Sequence, residues 1–129
     1  MFTVSIKGVF HTPSGEVGLL MNERDEWELP GGRIELGETT AECVVREISE
    51  ELSLSVNAEA LLDTYLFEVV PEKHVFIVTY GCSLNGPFNP RISDEHKRIG
   101  TFPPDRLPAN LPQGYRSSIV AWCRQNATP

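Results

Sequence analysis

Apolar and polar residues alternate at the start of the chain, with Phe2, Val4 and Ile6 separated by Thr3, Ser5 and Lys7. This period of two predicts an opening β-strand through Phe10. His11-Thr12-Pro13-Ser14-Gly15 carries the residues of a turn, and the apolar run from Glu16 to Met21 predicts a second strand folded back as a hairpin. After a charged stretch, Trp27-Glu28-Leu29 predicts a short strand that runs into Pro30-Gly31-Gly32, where the glycines allow a sharp turn and close approach of another group. Ala41, Val44, Val45, Ile48 and Leu52 then recur at i, i+3, i+4, i+7 and i+11, the stripe of a helix packed on a core. Thr39 and Glu42 head it with the spacing of a capping box. Val56–Val70 and Lys73–Cys82 predict two strands around a Pro71-Glu72 break, the stretch before Pro103-Pro104 a short strand, and Gln113–Arg124 a last helix. The order β, β, short β, α, β, β, short β, α predicts an α/β fold in which helices flank a mixed sheet.

Composition narrows the class. The 129 residues are 40% hydrophobic and 22% charged, the balance of one ordinary domain covering 1–129 that needs no disulfide or metal to hold its core. Eleven Lys and Arg against eighteen Asp and Glu leave a net charge of -7, the wrong sign for a nucleic-acid polymer or an anionic membrane. Cys43, Cys82 and Cys123 are far apart and form no C-x-x-C pair, as expected of a reduced, cytoplasmic setting. The first residues read as a strand and not as an export signal. The longest apolar runs, such as Val75–Val78, fall far short of the roughly 20 residues of a membrane-spanning helix. The oligomeric state is open, a homodimer included.

One feature opposes stability. On the helical wheel Glu47, Glu50 and Glu51 fall within about 100° of one another, away from the apolar stripe. They occupy the last two turns, where the helix dipole disfavours anions by a few tenths of a kcal/mol each, and they repel one another. A solvated acidic face is one explanation. The other is a site for Mg²⁺, or Mn²⁺ in its place, because hard carboxylate oxygens are what these ions prefer and a divalent cation turns the repulsion into attraction. Arg46 lies one turn from Glu42 and Glu50, so it can restrain Glu50 or serve as one more surface pair.

The string Gly32, Glu38, Arg46-Glu47, Ile48, Glu50-Glu51, Leu52 and Leu54, with its intervening spacings, resembles the signature of the Nudix hydrolase family, of MutT type, over residues 32–54. Ser53 stands where the family pattern has glycine, and a left-handed helix cap there costs a non-glycine residue about 1 kcal/mol. The resemblance implies an α/β/α sandwich and cleavage of a nucleoside diphosphate linked to another moiety, such as a nucleoside triphosphate or ADP-ribose. It implies Glu47, Glu50 and Glu51 as metal ligands, the Gly31 carbonyl as a further ligand, Glu38 as a supporting acid, and Glu95 as a candidate ligand or base from a later loop. Gly32, Glu38 and Arg33 are the candidate substrate-binding positions.

A pyrophosphate facing so many acids needs cations between. One unit-charge pair at 4 Å is worth about 4 kcal/mol at an effective dielectric near 20, so Mg²⁺ is expected to be obligatory. Water is then the nucleophile, attacking phosphorus in line, with Glu47 or Glu50 ahead of Glu95 as general base and Arg46 orienting them. Trp27, Phe10, Tyr65, Phe67 and Tyr80 are candidates to stack on a base. Lys7, Arg33, Arg91, Lys97 and Arg98 are candidates to meet phosphate or sugar, each equally credible as a surface charge. The alternative from another class is a nucleotide-binding module of the same family type that does not cleave its ligand.

Overall fold

The computed structural model describes residues 2–96 and 98–126, so the candidate cation Lys97 lies outside the described residues. Along the chain come β1 (Thr3–Val9), β2 (Val17–Met21), β3 (Trp27–Glu28), β4 (Gly31–Arg33), α1 (Thr40–Leu52), β5 (Val56–Val70), β6 (Lys73–Leu84), β7 (Arg98–Phe102) and α2 (Gln113–Asn126). Four strands form a mixed sheet in the order β4-β1-β6-β5, with β1 parallel to β6 and its other pairs antiparallel. Three form an antiparallel sheet in the order β3-β2-β7.

Two local expectations are corrected. The turn after β1 forms, with Thr12 N–H bonded to the Glu16 carbonyl at 2.8 Å, but β1 and β2 part at its base and enter different sheets. Ile6, Val9 and Phe10 are fully buried, so this segment needs protein on both faces and both edges, and β4 and β6 supply the edges. The glycine pair is also more than a turn. Gly31–Arg33 pairs with Ser5–Lys7, and Pro30 accepts the Gly8 N–H at 2.9 Å.

The helix starts and stops as its caps dictate. Thr39 Oγ1 accepts the Glu42 N–H at 3.1 Å, and Glu42 accepts the Thr39 N–H at 2.8 Å. At the other end Ser53 is left-handed, φ 57°, and returns its N–H to Ser49. The buried stripe of α1 runs through Cys43, Val44, Ile48 and Leu52, and these pack with Ile6, Phe10, Leu20 and Val78 on one side of the sheets. A second core holds Val9, Leu19, Leu29 and Ile77 against Tyr115, Ile119 and Trp122 of α2. Each fully buried aliphatic side chain contributes about 1.5–3 kcal/mol, so the two cores clamp the sheets between the helices and hold α1 rigidly over β4. Among the described residues no helix is long and apolar enough to cross a membrane.

Candidate active site

α1 lies over β4, and the glycines of β4 decide how close it comes. Gly31 has φ +146°, and a Cβ there would overlap the Ile6 carbonyl oxygen, so only glycine fits. A Cβ on Gly32 would occupy the space of the Glu47 carboxylate. Glu51 Oε1 accepts the Gly31 N–H at 2.8 Å. The acids share one face, as the wheel predicts, but differ in how far solvent reaches them. Glu51 is buried, Glu47 is half-buried over Gly32, and only Glu50, with its side chain 59% exposed, faces solvent.

The helix end then anchors the loop that follows β6. Carbonyls of the last turn have no partner within a helix. Here Leu52 accepts from Arg91 N–H at 2.8 Å and Glu51 from Ser93 N–H at 2.9 Å. This brings Glu95 and His96 to Glu51, with one candidate ligand atom from each lying within 4.8 Å of the others. A cleft of about 260 Å³ opens between Glu47, Glu50 and Glu51 of α1 and Ser93, Asp94 and Glu95 of the loop.

His96 Nε2 lies 3.0 Å from Glu28 Oε1 and 3.7 Å from Glu51 Oε2. Burial works against the Glu28 charge, but His96, Lys7 and Asn22 outweigh it and hold the carboxyl down to about 2. The Glu28 partner raises the imidazole above its usual range. Glu51 goes the other way. Burial pushes it up to about 7 against the pull of Lys7, the Gly31 N–H and His96. Burial likewise raises Glu47, although Arg46 opposes it.

Arg46 is the hub of the helix face. It grips both oxygens of Glu38, one through Nε and the other from Nη2 at 3.0 Å. It also donates to Glu47 at 3.0 Å, to Glu50 at 3.1 Å and to the Arg33 carbonyl at 3.1 Å. Glu38, bonded as well by the Glu35 N–H, is held at about 2, and Arg46 is raised in turn. Glu42 is taken up by the cap and leaves Arg46 to the acids of the cleft.

The donor set fits a hard divalent cation. Several carboxylates converge on the cleft, burial destabilises the charges of Glu47 and Glu51 among them, and Ser93 Oγ on the cleft wall is buried without a partner. Glu47, Glu50, Glu51 and Glu95 are the residues that would hold it.

The NUDIX domain model matches residues 1–123. The chain belongs to the Nudix family. It is 27% identical over 121 residues to a MutT-like protein of Streptomyces ambofaciens, covering 93% of this chain and 76% of that one. It is 36% identical over 81 residues to an ADP-ribose pyrophosphatase of Methanocaldococcus jannaschii, covering 62% of this chain and 47% of the relative. The chain spans about half the length of several curated relatives it matches, from 47% to 50% in three of them. The crystal structure of a MutT protein from Methanosarcina mazei Go1 superposes with a TM-score of 0.82 over 98% of this chain and 96% of that one, at 22% identity, and so shares the Nudix fold.

Within this Nudix domain, Glu47, Glu50, Glu51 and Glu95 meet at one cleft, with Gly31, Gly32, Glu38 and Arg46 directly behind it. Arg33 contributes its carbonyl to Arg46 while its side chain is exposed. The Gly31 N–H is taken up by Glu51, which leaves the Gly31 carbonyl, implied as a ligand by the resemblance, a separate group on the same residue. Sequence reasoning missed Glu28 and His96 as partners. Glu28 alternates with buried Trp27 and Leu29, which would have placed it on the opposite face of its strand from theirs.

Proposed function

We propose that this Nudix domain is a divalent-cation-dependent pyrophosphohydrolase acting on nucleoside diphosphate derivatives, nucleoside triphosphates and ADP-ribose among them. The observation that carries this reading is the convergence of the four glutamates on one cleft, held from behind by Arg46 and from the side by the Glu28–His96 pair. The reaction is hydrolysis of a phosphoric anhydride: water adds to phosphorus, the bridging P–O bond breaks, and the water's proton leaves through a base. Bound Mg²⁺ or Mn²⁺ would lower the pKa of a coordinated water and neutralise charge on the leaving phosphate.

The chain's own residues supply order. Arg46 holds one oxygen each of Glu47 and Glu50 while both residues line the cleft, which makes Glu50 and Glu47 the base candidates ahead of Glu95. Glu38 fixes the Arg46 plane by a two-point contact and is a supporting acid more than a substrate contact. The Gly31 N–H aims the Glu51 carboxylate, and the bare Gly32 backbone leaves room for Glu47 and for a phosphate. The proposal extends to a single catalytic domain over 1–129 with a cytoplasmic place of action.

The test is a panel of nucleoside triphosphates, ADP-ribose, dinucleoside polyphosphates and nucleotide sugars, each with Mg²⁺ and with EDTA, scored by product identity. Cleavage of an anhydride bond that EDTA abolishes is expected. Glu50→Ala should lower turnover by about 100-fold or more, the scale of a lost general base. Turnover within a few-fold of the parent would overturn the assignment. Nucleotide binding without cleavage across the panel would favour a binding module.

A further inference from the structure

On the α2 side of the four-stranded sheet, Trp27, Phe67 and Tyr115 wall a cavity of about 140 Å³ that Lys7, Asn22 and Glu28 also line. A space of this size takes one flat ring system, since an apolar cavity of about 150 Å³ binds benzene. Aromatic walls favour a stacking occupant. Lys7 is the unusual residue in it. It is only 7% exposed, and its ammonium sits 5.9 Å from the Tyr115 ring centroid. Among the described residues it has no hydrogen-bond acceptor and no carboxylate at ion-pair distance. Burial works against its charge, but the oxygen of Tyr115 and the acids Glu28, Glu51 and Glu47 outweigh that and keep it protonated.

The other polar groups of the cavity are already engaged. Asn22 Oδ1 accepts from the Arg24 and Glu26 N–H groups, and its amide donates to Glu28. Glu28 is held by Asn22 and His96. What the cavity offers a ring is therefore a cation, on a side chain only 7% exposed, whose N–H donors no protein acceptor engages among the described residues. Among nucleobases, guanine-type and uracil-type edges present keto oxygens as acceptors, whereas adenine and cytosine present an exocyclic amine at the same place. The chain Glu28–His96–Glu51 joins this cavity to the carboxylate cleft, so one nucleotide can set its base in the first and its phosphates at the second.

Resting on the hydrolase reading above, we propose that Lys7 is a specificity-determining residue which selects nucleotides with a keto base over those with an amino base. Inosine and adenosine nucleotides differ on that edge alone, a 6-keto oxygen with N1–H in the first against a 6-amine with bare N1 in the second. Calorimetric titration of the protein with IMP and with AMP tests the proposal without any turnover, and kcat/KM for ITP and ATP with Mg²⁺ tests it during turnover. Inosine is expected to be favoured by about 10-fold or more. Lys7→Met should bring the two within about 2-fold, while Lys7→Arg, which keeps charge and donors, should retain the preference if Lys7→Met fails to fold. If Lys7 only balances the nearby acids, its loss weakens both nucleotides alike and leaves their ratio unchanged. That result overturns the proposal, as does equal binding by the parent or binding of neither monophosphate. Absence of turnover of ITP, ATP and the wider panel would count against the hydrolase reading, and the IMP to AMP ratio would still decide the role of Lys7.

Discussion

Arg46 is worth most at the residue scale because one guanidinium hydrogen-bonds Glu38, Glu47 and Glu50 and pairs with Glu35 at 3.6 Å. It touches the site through those acids, so it is a positioning residue. Arg46→Ala is expected to lower turnover by about 10- to 100-fold, the usual cost of losing a group that orients metal ligands, and to weaken Mn²⁺ binding measured by calorimetry. The melting temperature should fall as well, because the Glu38 and Glu47 side chains are only 15% exposed and lose their charge partner, so the weakened Mn²⁺ binding is the readout that marks the positioning role. Gly32→Ala makes a sharper case. The added methyl meets the end of a flexible side chain, the Glu47 carboxylate, so the fold can yield by moving Glu47. Activity should fall by at least about 10-fold with a near-parental denaturation midpoint. Gly31→Ala meets backbone at a positive φ instead, and unfolding titration should show a loss of several kcal/mol.

At the scale of elements, α1 is capped well at one end and poorly at the other. Thr39→Ala removes one half of the capping box and should cost about 1 kcal/mol in chemical denaturation. Ser53→Gly relieves a left-handed cap on an exposed residue, and should stabilise by about 0.5–1 kcal/mol while leaving the Ser49 bond in place. The same helix end holds the loop that carries Ser93, Glu95 and His96. Cap geometry and half of the cleft are thus set by one turn of backbone.

For the whole molecule, the cleft gathers negative charge in a chain already at -7. Any divalent cation that binds the folded form and not the unfolded one stabilises it, by about 2.7 kcal/mol at 100 times its Kd. For a domain of this size that is a rise of about 10 °C. Thermal melts with Mg²⁺ or Mn²⁺ against EDTA should show such a rise, and an equal ionic strength of NaCl should not reproduce it. Glu51→Gln should remove most of it.

Much of this was legible along the chain because it is local. Period and caps determined α1 from Thr39 onward, the long β5 and β6 around Pro71-Glu72, and the acid spacing that marks the family. The family pattern, with glycine where Ser53 stands, also pointed to the left-handed cap there. Tertiary structure alone decided the rest, for the reason that burial and pairing are properties of neighbours distant in sequence. It separated β1 from β2 and turned the glycine pair into a strand against β1. It buried Glu51 while leaving Glu50 in solvent, carried His96 across 68 positions to Glu28, and moved Lys7 from a plausible surface charge to the floor of a cavity. A one-dimensional pattern states which way a side chain points from its own element, whereas the free energy of a charge depends on what the other elements place around it.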